Sequence, residues 1–141
     1  MRNLTILLLL SLSYSQPCDE CGVCDYNELN DCMTLTIELD GEDLISFYAL
    51  PEDVSVQNIF GDLEPYSPQI FGEADQASYW PGIGWIGTLV GAGISADEGY
   101  LVTIDEFATL TVEDAVPVSY DSDGAVVYYL HSGNNLISYP F

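Results

Sequence analysis

Short segments rich in β-branched and aromatic residues, separated by turn residues, run through most of this 141-residue chain. The first, residues 34–39, alternates apolar and polar side chains, as a half-buried strand does. Strands this short, recurring with Gly, Asp or Pro between them, predict an all-β sandwich or a barrel-like module. The other predicted strands are residues 44–49, 69–74, 85–90, 100–104, 108–112, 116–120 and 125–130.

Local sequence also predicts how some segments connect. Residues 34–39 and 44–49 flank an Asp-Gly-Glu-Asp turn and are predicted to pair as a hairpin. The Asp-Ser-Asp-Gly stretch at 121–124 predicts a second hairpin turn. One short helix is predicted at 55–61, with Asp53 or Ser55 as its cap and Gly61 as its end.

Residues 1–15 have the pattern of a secretory signal peptide and are not expected to join the core. Arg2 supplies a positive start, residues 6–10 are apolar, and small residues precede Gln16. The apolar run is too short to span a bilayer. Cleavage before Gln16 predicts a mature chain that is secreted or held at the cell surface, without membrane insertion.

Export would remove Arg2, the only basic side chain apart from one histidine, and leave all 23 acidic residues in place. A chain without Lys or Arg cannot displace the counterions of nucleic acid, so nucleic acid is excluded as a partner. Docking on an anionic membrane is excluded for the same reason. Strong salt screening makes such self-repulsion tolerable. A saline habitat and specific calcium binding are therefore two open explanations.

Calcium would bind where acidic residues gather in turns, because the ion takes six to eight oxygen ligands. Plain turn chemistry is the alternative. Neither acidic stretch matches an EF-hand loop, and no other cofactor is predicted. The candidate calcium ligands are Asp40, Glu42, Asp43, Asp121 and Asp123.

Four cysteines lie in the polar, acidic segment 16–33: Cys18, Cys21, Cys24 and Cys32. In an exported chain they predict two disulfides that crosslink this segment, and three connectivities are open. A zinc or iron–sulfur ligand set is the alternative that the C-x-x-C-x-x-C spacing leaves open. Bridges between chains are a third.

One motif occurs twice. The Leu-Ile-Ser of residues 44–46 is found again at residues 136–138, near the end of the chain. The second copy, in residues 133–141, either closes its own domain or supplies a strand to another subunit. Donation would extend the partner's sheet beside residues 44–49, and head-to-tail contacts of this kind give filaments. The donor residues would be Asn135, Leu136, Ile137, Ser138, Tyr139 and Phe141.

The order of motifs in residues 34–141 resembles a known repeat. The motifs are Gly41-x-x-Leu44-Ile45-Ser46, Gly72-Glu73-Ala74, Trp85-x-Gly87-Thr88-Leu89, Gly99-Tyr100, Ala108-Thr109-Leu110-Thr111-Val112 and Gly133-x-Asn135-Leu136-Ile137-Ser138-Tyr139-Pro140. This order resembles a small β-repeat of secreted and surface proteins of marine bacteria and of some marine phages. There a GxNLISYP strand opens each copy and a GYW strand lies near its end. The resemblance implies a β-module and no catalytic residues.

The sequence offers few candidate catalytic residues. His131 is the only imidazole on which a nucleophilic triad could depend, and it is predicted to lie on the surface. The G-x-G-x-x-G match at residues 82–87 leads into a predicted strand rather than a helix, so it is not expected to bind a nucleotide. No enzyme is predicted.

Aromatic side chains are the remaining candidate site. Tyr79, Trp80, Trp85 and Tyr100 are predicted either to fill the core or to form a platform on which glycans stack. The first interpretation of the chain is a non-catalytic secreted module that acts in structure or adhesion at the cell surface or in the extracellular matrix. Its partners would be itself, other extracellular proteins or glycans. A strand-donated filament and a glycan-binding module are the alternatives.

Overall fold

A computed structural model of the chain describes residues 31–118 and 128–138. Their strands form two antiparallel sheets, so the all-β prediction is confirmed. The strands are β1 (Met33–Leu39), β2 (Glu42–Ser46), β3 (Ala49–Leu50), β4 (Gln69–Phe71), β5 (Gln76–Trp80), β6 (Gly84–Ile86), β7 (Gly99–Thr103) and β8 (Ala108–Pro117). The helical segments are α1 (Val56–Phe60), a 3₁₀ helix (Gly61–Tyr66) and α2 (Leu89–Ala92). The predicted signal peptide lies outside the described residues.

The two sheets pack around one core. The first sheet has the order β1-β8-β3 and the second has the order β2-β7-β4-β5-β6. Alternate residues of each strand face inward, as strand geometry requires. The buried core residues include Leu35, Leu39, Leu110 and Val112 from the first sheet, Ile45, Ile70, Ala77, Tyr100 and Val102 from the second, and Val56, Ile59, Phe60 and Leu63 from the helices.

The predicted hairpin between residues 34–39 and 44–49 is wrong. β1 pairs with β8 and β2 pairs with β7, so neighbours along the chain lie in different sheets. Gly41, at φ 80°, lies between them. Separating the two strands lets the apolar faces of both sheets bury each other, which a two-stranded hairpin cannot achieve alone.

The predicted strand at 44–49 is divided where the chain passes between the sheets. β2 ends at Ser46, and β3 pairs with the end of β8 in the other sheet. Phe47 lies at this crossing and is fully buried. Its ring centroid is 6.0 Å from that of Phe60 and 6.2 Å from that of Tyr100. A buried aromatic side chain at this point joins the two sheets and α1.

The segments predicted as strands 108–112 and 116–120 belong to the same strand as far as residue 117. β8 runs through both, and its pairing with β1 shifts register near Asp114, which has φ 54°. Such an irregularity bends a strand without ending it. Residues 128–130, predicted to end the last strand, have no strand structure.

The predicted helix is confirmed, but its end is not where it was expected. Ser55 caps α1, because its side chain accepts the N–H of Asn58 at 3.2 Å. Gly61 keeps a right-handed helical conformation, and the chain continues as the 3₁₀ helix. Ser67, the residue that follows this helix, has φ 51° and adopts the left-handed conformation. No helix in the described part of the chain is long and apolar enough to cross a membrane.

The strand predicted at 85–90 ends early. β6 stops at Ile86, and Leu89, whose side chain is buried, begins the single turn of α2. Gly87 has φ 127° and lies so close to β5 that a Cβ would be 2.1 Å from the Gln76 carbonyl oxygen. This contact of backbone on backbone turns the chain away from the sheet.

Candidate functional site

Tyr100 is not available for stacking, which corrects one of the predicted glycan contacts. It is fully buried on the inner face of β7. Its hydroxyl accepts the N–H of Ser95 at 2.7 Å and donates to Glu98 at 3.2 Å. Burial, as the largest cause, raises the pKa of the phenol. Tyr100 is therefore a core residue with a satisfied polar end.

Trp85 has a structural role in the described fold. It lies opposite Tyr79 in the β5–β6 hairpin, with the ring centroids 5.5 Å apart in an edge-on arrangement. Its indole Nε1–H donates to the carboxylate of Glu64 at 3.0 Å. Gln57 donates to the same carboxylate oxygen at 2.6 Å. Trp85 thus joins the hairpin to the 3₁₀ helix, and its N–H has a protein partner.

Trp80 differs from these two aromatic residues because its side chain is 54% exposed. It is the last residue of β5, on the strand face opposite to that of Ala77 and Tyr79. Ser78 shares the face of Trp80, and Gln69 of β4 lies directly opposite Ser78. Ser78 lies beside Trp80 through strand alternation within β5, whereas only the pairing of β4 with β5 brings Gln69 next to them.

The second copy of the repeated motif pairs with its own chain. Two backbone hydrogen bonds of 3.1 Å join residues 136–138 to residues 97–99, around one antiparallel bridge. On the β2 side of β7, Ile104 donates to Gly41. Because N–H groups alternate along a strand, the Gly99 N–H points to the opposite edge. The two copies of the motif therefore contact the beginning of β7 from its two edges.

Gly99 permits this contact, since a Cβ there would lie 3.1 Å from the carbonyl oxygen of Ile137. Ser138 is buried, and the hydroxyl of Tyr128 donates to its carbonyl oxygen at 3.1 Å. Asn135 has a different role, because its side chain bonds to backbone atoms of His131 and stabilises a local turn. Of the other predicted donor residues, Tyr139 and Phe141 lie outside the described residues.

His131 connects the C-terminal segment to the turn between β4 and β5. Its Nε2 forms an ion pair with Glu73, and its Nδ1 lies 3.0 Å from the carbonyl oxygen of Ser132. Both neighbours are acceptors, so both ring nitrogens can donate only when the imidazole is protonated. The hydrogen bond to Ser132, followed by the Glu73 carboxylate, raises the pKa of His131.

We expect the stabilisation from His131 to be complete below about pH 6.5 and to disappear as the pH rises through its higher folded-state pKa. The free energy of unfolding in urea, measured at a series of pH values for the wild type and for His131→Gln, tests this. The difference between the two proteins should shrink towards alkaline pH. Glu73→Gln should lower the pKa of His131 in an NMR titration. A difference that does not depend on pH would contradict the role of the imidazolium.

The candidate calcium ligands in the first turn do not converge. Among residues 31–118 and 128–138, no three His, Cys, Asp or Glu side chains are placed to hold a metal ion. Glu42 and Asp43 are neighbours in β2 and point to opposite faces. The Asp43 carboxylate accepts the N–H of Asp40 at 2.7 Å, so turn chemistry accounts for this stretch. Asp121 and Asp123 lie outside the described residues, where calcium stays a prediction.

An acidic cleft of about 810 Å³ was not predicted. Its acidic residues come from three separate stretches of the chain, so no local pattern indicated it. In this cleft, the backbone N–H and then the hydroxyl of Ser55 lower the pKa of Asp53. The acidic residues that line the cleft are Glu52, Asp53, Asp62, Glu113 and Asp114.

Of the four cysteines, only Cys32 lies in the part of the chain that the structure describes. It is 6% exposed, and no cysteine in that part is a free thiol. Cys18, Cys21 and Cys24 lie outside it. The two disulfides and their connectivity therefore stay a prediction.

These features define an all-β module of two packed sheets, with one exposed tryptophan on a hairpin and a C-terminal segment paired with its own sheet. No protein-family model, no curated protein and no solved structure matches the chain. The resemblance to the marine β-repeat stays a prediction that depends on the order of the motifs in residues 34–141.

Proposed function

We propose that this chain is a non-catalytic module that acts in structure or adhesion outside the cell. The observation that carries the proposal is the pairing of both motif copies with β7, from β2 on one edge and from residues 136–138 on the other. A module that ties its C-terminal segment back to its own sheet is a rigid unit with a defined surface. Such units suit a surface or matrix protein better than an enzyme, which needs mobile and strained parts around a cleft.

The sequence adds support from composition. A signal-like start, clustered cysteines and 23 acidic residues fit an extracellular chain in a saline medium. The ring of His131, the only imidazole, bonds at the surface to the carboxylate of Glu73 and to the backbone carbonyl oxygen of Ser132. The chain therefore offers adhesion and assembly more readily than nucleophilic catalysis.

Fractionation of the cells that make the protein tests this proposal. We expect the protein in the medium or on the cell surface, where added protease reaches it, with Gln16 as the first residue by mass spectrometry. A protein found only inside intact cells, with Arg2 retained, would exclude an extracellular role.

Strand donation is a second candidate, favoured by the exposure of β2. This strand lies at the edge of its sheet, and among the described residues its outer edge has no strand partner. Leu44, in the middle of β2, is 65% exposed. An open strand edge is a template for pairing with another chain. Residues 135–141 of a neighbouring molecule would be the strand that pairs there.

The variant Gly99→Val separates this candidate from a self-closed module. A Cβ at this position would lie 3.1 Å from the carbonyl oxygen of Ile137, and the methyl groups of valine extend beyond the Cβ. We expect the variant to displace residues 136–138 from β7. We therefore expect fast amide hydrogen exchange at Ser138, whose N–H donates to Asp97 in the wild type. Under strand donation, the released segments would pair between molecules, and the molar mass by light scattering would rise with concentration.

Gly91→Val is the matched control, because a Cβ at position 91 meets no atom within 4 Å. It should leave both the exchange at Ser138 and the molar mass unchanged. A Gly99→Val protein that stays monomeric at all concentrations would exclude strand donation. If polymers form, their loss in EDTA would place calcium at the joints between subunits.

A further inference from the structure

We infer that the groove beside Trp80 binds an uncharged oligosaccharide. The groove has a volume of about 290 Å³ and lies along the ends of β4 and β5. Its residues are Ser67, Gln69, Ser78, Tyr79, Trp80 and Pro81. This inference rests on the proposed adhesive function and gives that function a ligand class.

The first observation is the exposure of Trp80. Trp85 and Tyr79 pack against each other, whereas the Trp80 side chain is 54% exposed on the outer face of the hairpin. An indole ring left in water forgoes the stabilisation that its burial would contribute. Aromatic side chains with one open face are typical of sites where a flat apolar surface stacks on the ring. The C–H face of a pyranose ring is such a surface.

The second observation is the absence of charge among the six residues that line the groove. Two larger clefts of the described fold are acidic, one lined by Asp62 and Glu64 and the other by five carboxylates. In a chain with 23 acidic residues and a net charge of −22, a neutral groove beside an exposed tryptophan selects for an uncharged ligand. Residues 31–118 and 128–138 contain no lysine or arginine to bind a sulfated or uronic sugar, and the surrounding negative potential repels such a ligand.

The third observation is the placement of the polar groups. Gln69 and Ser78 are direct cross-strand partners, and Trp80 follows Ser78 on the same face of β5. Ser67, which also lines the groove, has the uncommon left-handed conformation at φ 51°. An amide and hydroxyl groups beside an aromatic ring offer the donors and acceptors that sugar hydroxyls bind.

Binding of the mature chain to an array of neutral and anionic oligosaccharides tests the inference, with glucans, mannans, galactans and chitin fragments as the neutral probes. We expect binding to at least one neutral class and none to alginate or sulfated galactans. Trp80→Ala should weaken this binding by about tenfold or more. This is the order of the loss in affinity when an aromatic side chain that stacks on a nucleic-acid base is replaced by alanine. Gln69→Ala should weaken it about three- to tenfold, as the loss of one hydrogen bond does.

Tyr129→Ala is the matched control, because Tyr129 is an aromatic residue, 91% exposed, in the C-terminal segment that contacts Glu73 and residues 97–99. It should bind like the wild type. In Trp85→Phe, Trp80 is the remaining tryptophan, and the bound sugar should protect its fluorescence from quenching by acrylamide. This second measurement does not need the Trp80→Ala protein to fold.

Absence of binding to every neutral glycan on the array would overturn the inference, as would binding that survives Trp80→Ala. Neither outcome would affect the proposed extracellular role, which the fractionation of producing cells tests separately. A protein that binds neutral glycans but stays inside intact cells would support the glycan site in the groove and exclude the adhesive role outside the cell.

Discussion

The Gly87→Ala variant is expected to unfold at a much lower urea concentration than the wild-type protein. A Cβ at position 87 would lie 2.1 Å from the carbonyl oxygen of Gln76, and φ is 127°. The clash is with the backbone of β5, so no side-chain rotation relieves it. Moving the strands apart would also break the hydrogen bond from the Gln76 N–H to the Thr88 hydroxyl. The clash and the backbone strain together are expected to lower the free energy of unfolding by about 3–5 kcal/mol.

Gly82→Ala is the control for backbone strain without a clash. Gly82 has φ 82°, and a Cβ there meets no atom within 4 Å. Its loss of stability should be only about 1–2 kcal/mol, the cost of a left-handed conformation for alanine. Urea unfolding followed by tryptophan fluorescence measures both variants. Equal losses in the two would show that the backbone of residue 87 does not approach β5 closely.

Phe47→Ala is expected to remove a large part of the stability of the fold. Phe47 is fully buried and contacts the rings of Phe60 and Tyr100 where the chain crosses between the sheets. Truncating a buried phenylalanine loses its transfer free energy and leaves a cavity, which together cost about 3–5 kcal/mol. A domain of this size has about 5–15 kcal/mol in total, so the variant should unfold at a far lower temperature.

Phe107→Ala provides the same chemical change at a surface position. Phe107 is 57% exposed and immediately precedes β8. The expected change in the free energy of unfolding is within about 0.5 kcal/mol, as for most surface substitutions. Thermal and urea unfolding of the two variants should therefore differ widely. A small loss in Phe47→Ala would mean that the two sheets do not share the core described above.

Features that depend on neighbours in the chain could be predicted. Ser55 caps α1, and the alternation of residues 34–39 forms β1. In both cases the determining contacts lie within one turn of helix or one strand. Even here, Gly61 does not end the helical stretch, because packing of Leu63 continues it to Tyr66. Local propensity is a weak preference that tertiary contacts override.

The candidate site was only partly predictable. Trp80, Trp85 and Tyr100 all carry aromatic side chains, and the sequence left open for all three whether they fill the core or form a glycan platform. Strand alternation and pairing place Tyr100 in the core, Trp85 against Tyr79 and Trp80 in solvent. Ser78 shares the strand of Trp80, whereas the other polar residues of the groove, Gln69 and Ser67, come from β4 and from the turn that precedes it. Only the register of β4 with β5 brings them together.

The sequence by itself determined the charge of this protein and indicated its strand content, because both follow from composition and short patterns. It also predicts export and the absence of a nucleic-acid partner. Only the tertiary structure decided which strands pair, because backbone hydrogen bonds form equally well between any two strands. Pairing β1 with β8 and β2 with β7, rather than with each other, buries both apolar faces in one core. Residues 136–138 likewise pair with β7 because Gly99, distant in sequence, leaves room for their backbone.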